Sequence, residues 1–277
     1  MREATVSEKI QANPDLIPSL PDVVAKALQL VDKPGVSPNE FDELLSQDPP
    51  LVATMLKIAN SPVYGFAHEK ETIRDAIIGI GLNGLRSILM GSTLKRFLGR
   101  QFACYGEDPK TLWRHAMAVA NAARILTKRL PDSPSNAEEM FVAGLLHDLG
   151  KLLLAPFLAR MGANLSQTEE PTHLAEERLL GISHQEAGGI VAEKWNMKPQ
   201  VHAVITHHHF MACPKNYRHA VAVVRLADQW ATENGKGAGA LDDASIYLEA
   251  DLALLGLQPE QWGEAQAAIA DVALVEA

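Results

Sequence analysis

At 277 residues, with 47% hydrophobic and 21% charged residues, the chain has the make-up of a folded globular protein, long enough to bury one large core or two smaller ones. Its formal net charge of −9 works against broad electrostatic binding to nucleic acid or to an anionic membrane surface. Two cysteines, Cys104 and Cys213, with no CxxC spacing exclude a disulfide scaffold and read as reduced thiols.

The start, Met1-Arg2-Glu3-Ala4, lacks the basic-then-apolar pattern of a signal peptide, and no apolar run is read as approaching the ~20 residues that cross a bilayer. A cytoplasmic location without a membrane partner is therefore expected. Residues 1–15 are polar, show no period and read as a frayed lead-in. From Pro21 onward Val24, Ala27, Leu28 and Val31 recur at helical spacing until Lys33-Pro34-Gly35. Ser37-Pro38-Asn39-Glu40 supplies an N-cap, a proline in the first turn and a capping-box glutamate for a helix through Phe41, Leu44 and Leu45. Asp48-Pro49 repeats the device ahead of a stripe formed by Leu51, Val52, Met55, Leu56 and Ala59.

Ile73, Ala76, Ile77 and Ile80 mark the next helix, Gly81 breaks it, and Leu85, Ile88 and Leu89 continue beyond. Such a helix pair superficially suits DNA binding, but its second member offers base edges only Arg86 and little else, so nucleic acid is not expected as a partner. Lys95, Arg96 and Arg100 near the helix end read as solvated cations that favour the helix dipole. Leu112, Ala116, Val119, Ala123, Leu126 and Leu130 mark a longer helix, and Asn136 caps another that runs through Phe141, Leu145 and Leu146. Further helices are predicted over 174–180, 184–194, 199–208 and 218–230, then a glycine-rich linker over 235–239 and a terminal helix from Pro259 to Val275. With no convincing strand and no internal repeat, the fold class is all-α, a multi-helix bundle.

One segment breaks the apolar pattern. In Gly144-Leu145-Leu146-His147-Asp148-Leu149-Gly150-Lys151 an apolar helix abruptly presents two metal-capable side chains and a lysine, and burying imidazole beside carboxylate is costly unless each is paired or bound to a cation. Candidate partners on other predicted helices are His115, His184, His207, His208 and Asp228. A single buried histidine is most often just hydrogen-bonded, but a mixed imidazole and carboxylate set suits Fe, Mn, Zn or Co better than Mg or Ca.

Leu112-Trp113-Arg114-His115, Ala143 to Lys151, His184-Gln185-Glu186-Ala187-Gly188 with Trp195, and Ala203 to His208 resemble the HD superfamily, in particular its HDOD branch. Leu20-Pro21, Gln47-Asp48-Pro49, Leu56 to Ser61 and Ala76 to Gly81 resemble the N-terminal signatures of the same branch, so that the likeness covers roughly residues 16 to 230. The resemblance implies a lead-in (1–15), an N-terminal helical part (16–108), an HD-like bundle (109–232), and a linker with a C-terminal helix (233–277). It also implies a bacterial signal-transduction or output module with a protein partner. By similarity to the HD-GYP pattern, His115, His147, Asp148 and Asp228 would hold one divalent metal, and His184, His207 and His208 a second, with Asp148 bridging. The alternative that the resemblance offers is a metal-dependent phosphohydrolase acting on a nucleotide or other phosphoester, with Asp148 and Lys151 in catalytic roles and Lys151 facing the phosphate. His209-Phe210-Met211-Ala212-Cys213-Pro214 stands where HD-GYP proteins carry Gly-Tyr-Pro, so cyclic di-GMP hydrolysis is not expected.

Overall fold

Short polar side chains at helix starts organise the first part of the chain, because each satisfies backbone N–H groups that the first turn leaves without partners. The computed structural model describes residues 5–61, 64–98, 100–106, 109–130, 133–235 and 247–275, and among these there is no strand. The glycine-rich stretch expected as a linker lies outside them from 236 onward.

The lead-in expected over 1–15 contains a helix, α1 (Val6–Ala12), held by a capping box in which Thr5 Oγ1 accepts from Glu8 N and Glu8 accepts from Thr5 N. With seven residues and one buried side chain, Ile10, it carries no period from which it could be read. The segment is tied down by later residues: Lys194 Nζ donates to Pro14 O and Ile17 O, and Trp195 Nε1 to Pro18 O at 2.7 Å.

The chain divides into two compact units, Leu20–Phe97 with Ala270–Ala277, and Met1–Ser19 with Leu98–Ile269. In the first, α2 (Asp22–Val31), α3 (Pro38–Leu45), α4 (Pro49–Ala59) and α5 (Ile73–Phe97) pack together over Val24, Phe41, Leu45, Leu51, Met55, Ile77 and Leu85. Ser37 and Asp48 stand at the helix N-termini, as the prolines that follow them require. Gly81 adopts φ 72° and ψ 178°, a conformation that side chains disfavour, and kinks α5 where the sequence predicts a break. Asn60 closes the α4–α5 connection by accepting from Lys70 N at 2.7 Å and donating to Lys70 O at 2.9 Å.

In the second unit, α6 (Pro109–Arg129) packs against α7 (Ala137–Leu146) and α12 (Arg218–Glu233), while α8 (Gly150–Arg160), α10 (His184–Lys194) and α11 (Pro199–His207) pack in sequence. α9 (Thr172–Leu180) contacts both α8 and α10. Two segments, Ile73–Phe97 and Ala137–Arg160, are in fact long and apolar enough to span a bilayer, contrary to the sequence expectation, and 61% and 78% of their apolar windows are buried within the protein. A core helix apolar on every side passes the same test as a membrane span.

The sequence did not predict α13 (Leu248–Leu255), which docks on α12 through a buried two-point pair: Arg225 Nε and Nη2 lie 2.6 and 2.9 Å from Asp251. Arg225 also donates to Phe210 O at 2.8 Å. Asp251→Ala leaves this guanidinium buried without its carboxylate, and chemical denaturation should register a loss of about 3–5 kcal/mol. Asp48→Ala, which removes the acceptor for Leu51 N, should cost about 1 kcal/mol, and Asp48→Asn should recover most of it because the lost Arg96 ion pair is half exposed.

Candidate metal centre

α7 stops at Leu146, and residues 147–149 form the turn that leads into α8. The turn sits against α10 only because residue 150 has no side chain: a Cβ on Gly150 would lie 1.8 Å from His184 O and 2.6 Å from Gly188 N. This close approach brings the His147-Asp148 pair to His184. α6 brings His115 and α12 brings Asp228 to the other side of the same pair.

The first group of donors is closely spaced. His115 Nε2 lies 3.2 Å from His147 Nε2 and 3.2 Å from Asp228 Oδ1, while Asp148 Oδ2 lies 3.4 Å from His147 Nε2 and 3.9 Å from His115 Nε2. The second group shares Asp148 through its other oxygen: Oδ1 lies 3.4 Å from His184 Nε2, which is 3.3 Å from His208 Nε2. His209 joins this group, since its ligating atom and those of His184 and His208 lie within 4.8 Å of one another. One carboxylate thus presents an oxygen to each of two histidine clusters.

Hydrogen bonds assign the tautomers. His147 Nδ1 faces Gly144 O at 2.7 Å, His208 Nδ1 faces Ile205 O at 3.0 Å, and His184 Nδ1 faces Glu176 Oε2 at 2.7 Å. A carbonyl or carboxylate oxygen only accepts, so each Nδ1 carries hydrogen and each Nε2 turns a lone pair to the centre. His184 and His208 therefore oppose two lone pairs across 3.3 Å, an arrangement that repels unless positive charge lies between them. A proton on His184, which Glu176 and Asp148 favour, relieves this contact, and a divalent cation between the two rings relieves it as well. Donors bound about 2.1 Å from a common ion lie roughly 3.0 Å apart at right angles and about 3.4 Å apart at the tetrahedral angle, close to most of these separations. The residues fit a divalent metal.

The electrostatics agree with that fit. Burial pushes His208 and His209 well below the ordinary imidazole pKa, and neighbouring histidines push them further, so both are neutral and able to ligate. Burial lowers His147 as well. For His115 and His184 burial acts in the same direction, but Asp228 and Asp148 on one and Glu176 on the other outweigh it and raise the pKa. Burial would raise Asp148, yet Lys151 and the surrounding imidazoles hold it well below the carboxylate range, and Lys151 Nζ sits 2.7 Å from Asp148 Oδ2. Asp228 is held at about 2 by His115 and His147 against the effect of burial. Its stabilising contribution is therefore complete above the usual carboxylate pKa and is lost only as pH falls toward about 2.

Of the residues predicted from sequence, His115, His147, Asp148, His184, His208, Asp228 and Lys151 converge, and His207 does not. It is half-buried at the end of α11, its neighbouring charge is His202, and it belongs to neither cluster. The consecutive pair at the centre is His208 with His209, a correction of one residue. Val201, Ala203, Val204 and Ile205 are the buried residues of α11, and extending them by three or four residues reaches 207 as well as 208, so the helical period alone does not choose between the two. Sequence reasoning also passed over Glu176, which is fully buried on α9 between His173 and Leu180 on the same helix face.

An all-helical unit that gathers histidines and aspartates from α6, the α7–α8 turn, α10, the end of α11 and α12 defines the class, and the comparisons with known proteins agree on the fold. The HDOD domain model matches residues 17–211, and the chain belongs to the HDOD family. The structure is similar to that of an HDOD domain protein of unknown function from Geobacter sulfurreducens, 27% identical with a TM-score of 0.71 over 96% of each chain. It is also similar to a provisionally named phosphohydrolase from Shewanella amazonensis, 25% identical with a TM-score of 0.74 over 99% of this chain and 97% of that one. An uncharacterized protein of Treponema pallidum is 26% identical over 230 residues, which cover 81% of this chain and 43% of that protein, so this chain spans less than half the length of that relative.

Replacing His208 or His209 by alanine should lower bound metal by about one ion per chain, whereas His207→Ala should leave it unchanged. Elemental analysis of the three variants after identical loading checks this.

Proposed function

We propose that this chain is a bacterial signalling module of the HDOD family whose second unit holds divalent cations in two adjacent seats joined by Asp148. The observation that carries the reading is that Asp148 presents Oδ2 to His147 Nε2 and Oδ1 to His184 Nε2, each at 3.4 Å, with a cluster of further histidine donors around each oxygen. Fe, Mn, Zn and Co suit this mixed nitrogen and oxygen set. His115, His147 and Asp228 would hold one ion and His184, His208 and His209 the other. A signalling role is favoured over turnover by burial: the most exposed donor, Asp148, keeps only 15% of its side chain accessible, and Lys151 keeps 10% with its ammonium already on Asp148. The cations then stabilise one arrangement of the helices that a protein partner recognises. A cytoplasmic location goes with this reading.

A second reading, hydrolysis of a nucleotide or other phosphoester, is favoured by Lys151, a buried ammonium beside the bridging carboxylate. A bound divalent cation supplies polarisation of a phosphoryl oxygen and lowers the pKa of a coordinated water. In that case Lys151 exchanges Asp148 for a phosphate oxygen, and Asp148 orients both seats while Asp228 keeps His115 in place.

The test is metal analysis of the protein purified without added metal, together with a panel of phosphoesters and nucleotides. Asp148→Ala should lose most of the metal while its far-UV circular dichroism stays that of the wild type. Metal without turnover supports the signalling reading, and turnover that disappears in Asp148→Ala supports the second. A metal-stripped wild type that takes up no Mn²⁺, Fe²⁺ or Zn²⁺ rules out both.

A further inference from the structure

Three imidazoles turn Nε2 toward the centre while Nδ1 is held from behind, but they are not held alike. Backbone carbonyls hold His147 and His208, whereas a carboxylate holds His184. That carboxylate, Glu176, is fully buried, and a lone buried charge is costly unless all its oxygens are engaged. Here they are: Oε2 accepts from both His184 N and His184 Nδ1 at 2.7 Å, and Oε1 accepts from the Tyr105 hydroxyl at 2.8 Å. Tyr105 is itself buried, and the Lys151 ammonium lies 5.6 Å from its ring centroid. A ring nitrogen backed by a carboxylate is a stronger donor on its far side than one backed by a carbonyl, and its orientation is fixed.

We infer that Glu176, clamped by Tyr105, is the positioning residue for the second cation seat: it locks His184 in the Nδ1–H tautomer with Nε2 toward Asp148 Oδ1 and His208. The inference rests on the two-seat reading above. It separates the two seats, because Glu176 accepts from Tyr105 and His184 and makes no hydrogen bond with His115, His147 or Asp228 among the described residues. Loss of Glu176 therefore weakens one seat and spares the other.

The experiment is a calorimetric Zn²⁺ titration of the metal-stripped full chain, paired with a two-bond 1H–15N spectrum of the metal-free protein that reads the His184 tautomer. Glu176→Ala should weaken the second binding step by about 10–100-fold, leave the first unchanged, and remove the single Nδ1–H pattern at His184. Glu176→Gln, whose amide oxygen still faces both His184 donors, should recover the tautomer and part of the affinity; a glutamine variant no better than alanine overturns the positioning role. If Glu176→Ala lacks the wild-type circular dichroism, Tyr105→Phe, which deletes only the hydroxyl, decides: a weakened second step supports the inference and an unchanged one overturns it. A wild type that binds a single Zn²⁺ removes the second seat and this inference with it. A wild type and a Glu176→Ala variant that both bind two ions equally tightly overturn the inference and leave the two-seat reading standing.

Discussion

Burying several unshared electron pairs around one carboxylate is the constraint on which the second unit depends. Asp148 is nearly enclosed, and within 4 Å of its oxygens lie His115, His147, His184 and Lys151. None of these groups could be transferred from water into a helical interior alone, since each would forfeit hydration worth several kcal/mol. Together they compensate one another, because Lys151 and the surrounding imidazoles hold Asp148 in its charged form, and the helices around the turn keep them at that distance.

The surrounding architecture follows from that demand. The absence of a side chain at Gly150 lets the α7–α8 turn approach α10 to backbone contact, which no other residue permits. α6 and α12 are amphipathic and pack on each other, so that His115 and Asp228, on their buried faces, meet at 3.2 Å. Behind the donors lies a second layer of acceptors, Gly144 O, Ile205 O and Glu176, that sets which nitrogen of each ring is free. Farther out, the Arg225 bridge to Asp251 and Phe210 O ties α13 to the segment that follows the histidine pair. These outer contacts include α13, which lies beyond the 17–211 stretch that matches the family.

Function on this view turns on access rather than on donors. A complete donor set is compatible with a structural, a sensing and a hydrolytic centre, because the same cation can brace helices or polarise a phosphoryl group. Low exposure of every donor favours bracing, and the buried Lys151 keeps the phosphoester alternative chemically coherent. The first unit contributes well-capped, tightly packed helices.

Local chemistry determined much of this protein without help from the fold. Ser37, Asp48 and Asn136 cap helices because a short acceptor beside orphan N–H groups needs no tertiary contact, and Gly81 breaks a helix for an equally local reason. The His147-Asp148 turn stood out because two polar groups interrupt an apolar run. α1 and α13 were not legible: α1 buries one side chain, and α13 is held by a partner, Arg225, that lies 26 residues away. Which of three consecutive histidines enter the centre is likewise settled by packing, since the buried residues of α11 lead by helical period to 207 as well as 208. Glu176 was not singled out from the sequence, and that it backs His184 could be decided only when α9 and α10 met, because a hydrogen bond between helices has no sequence period.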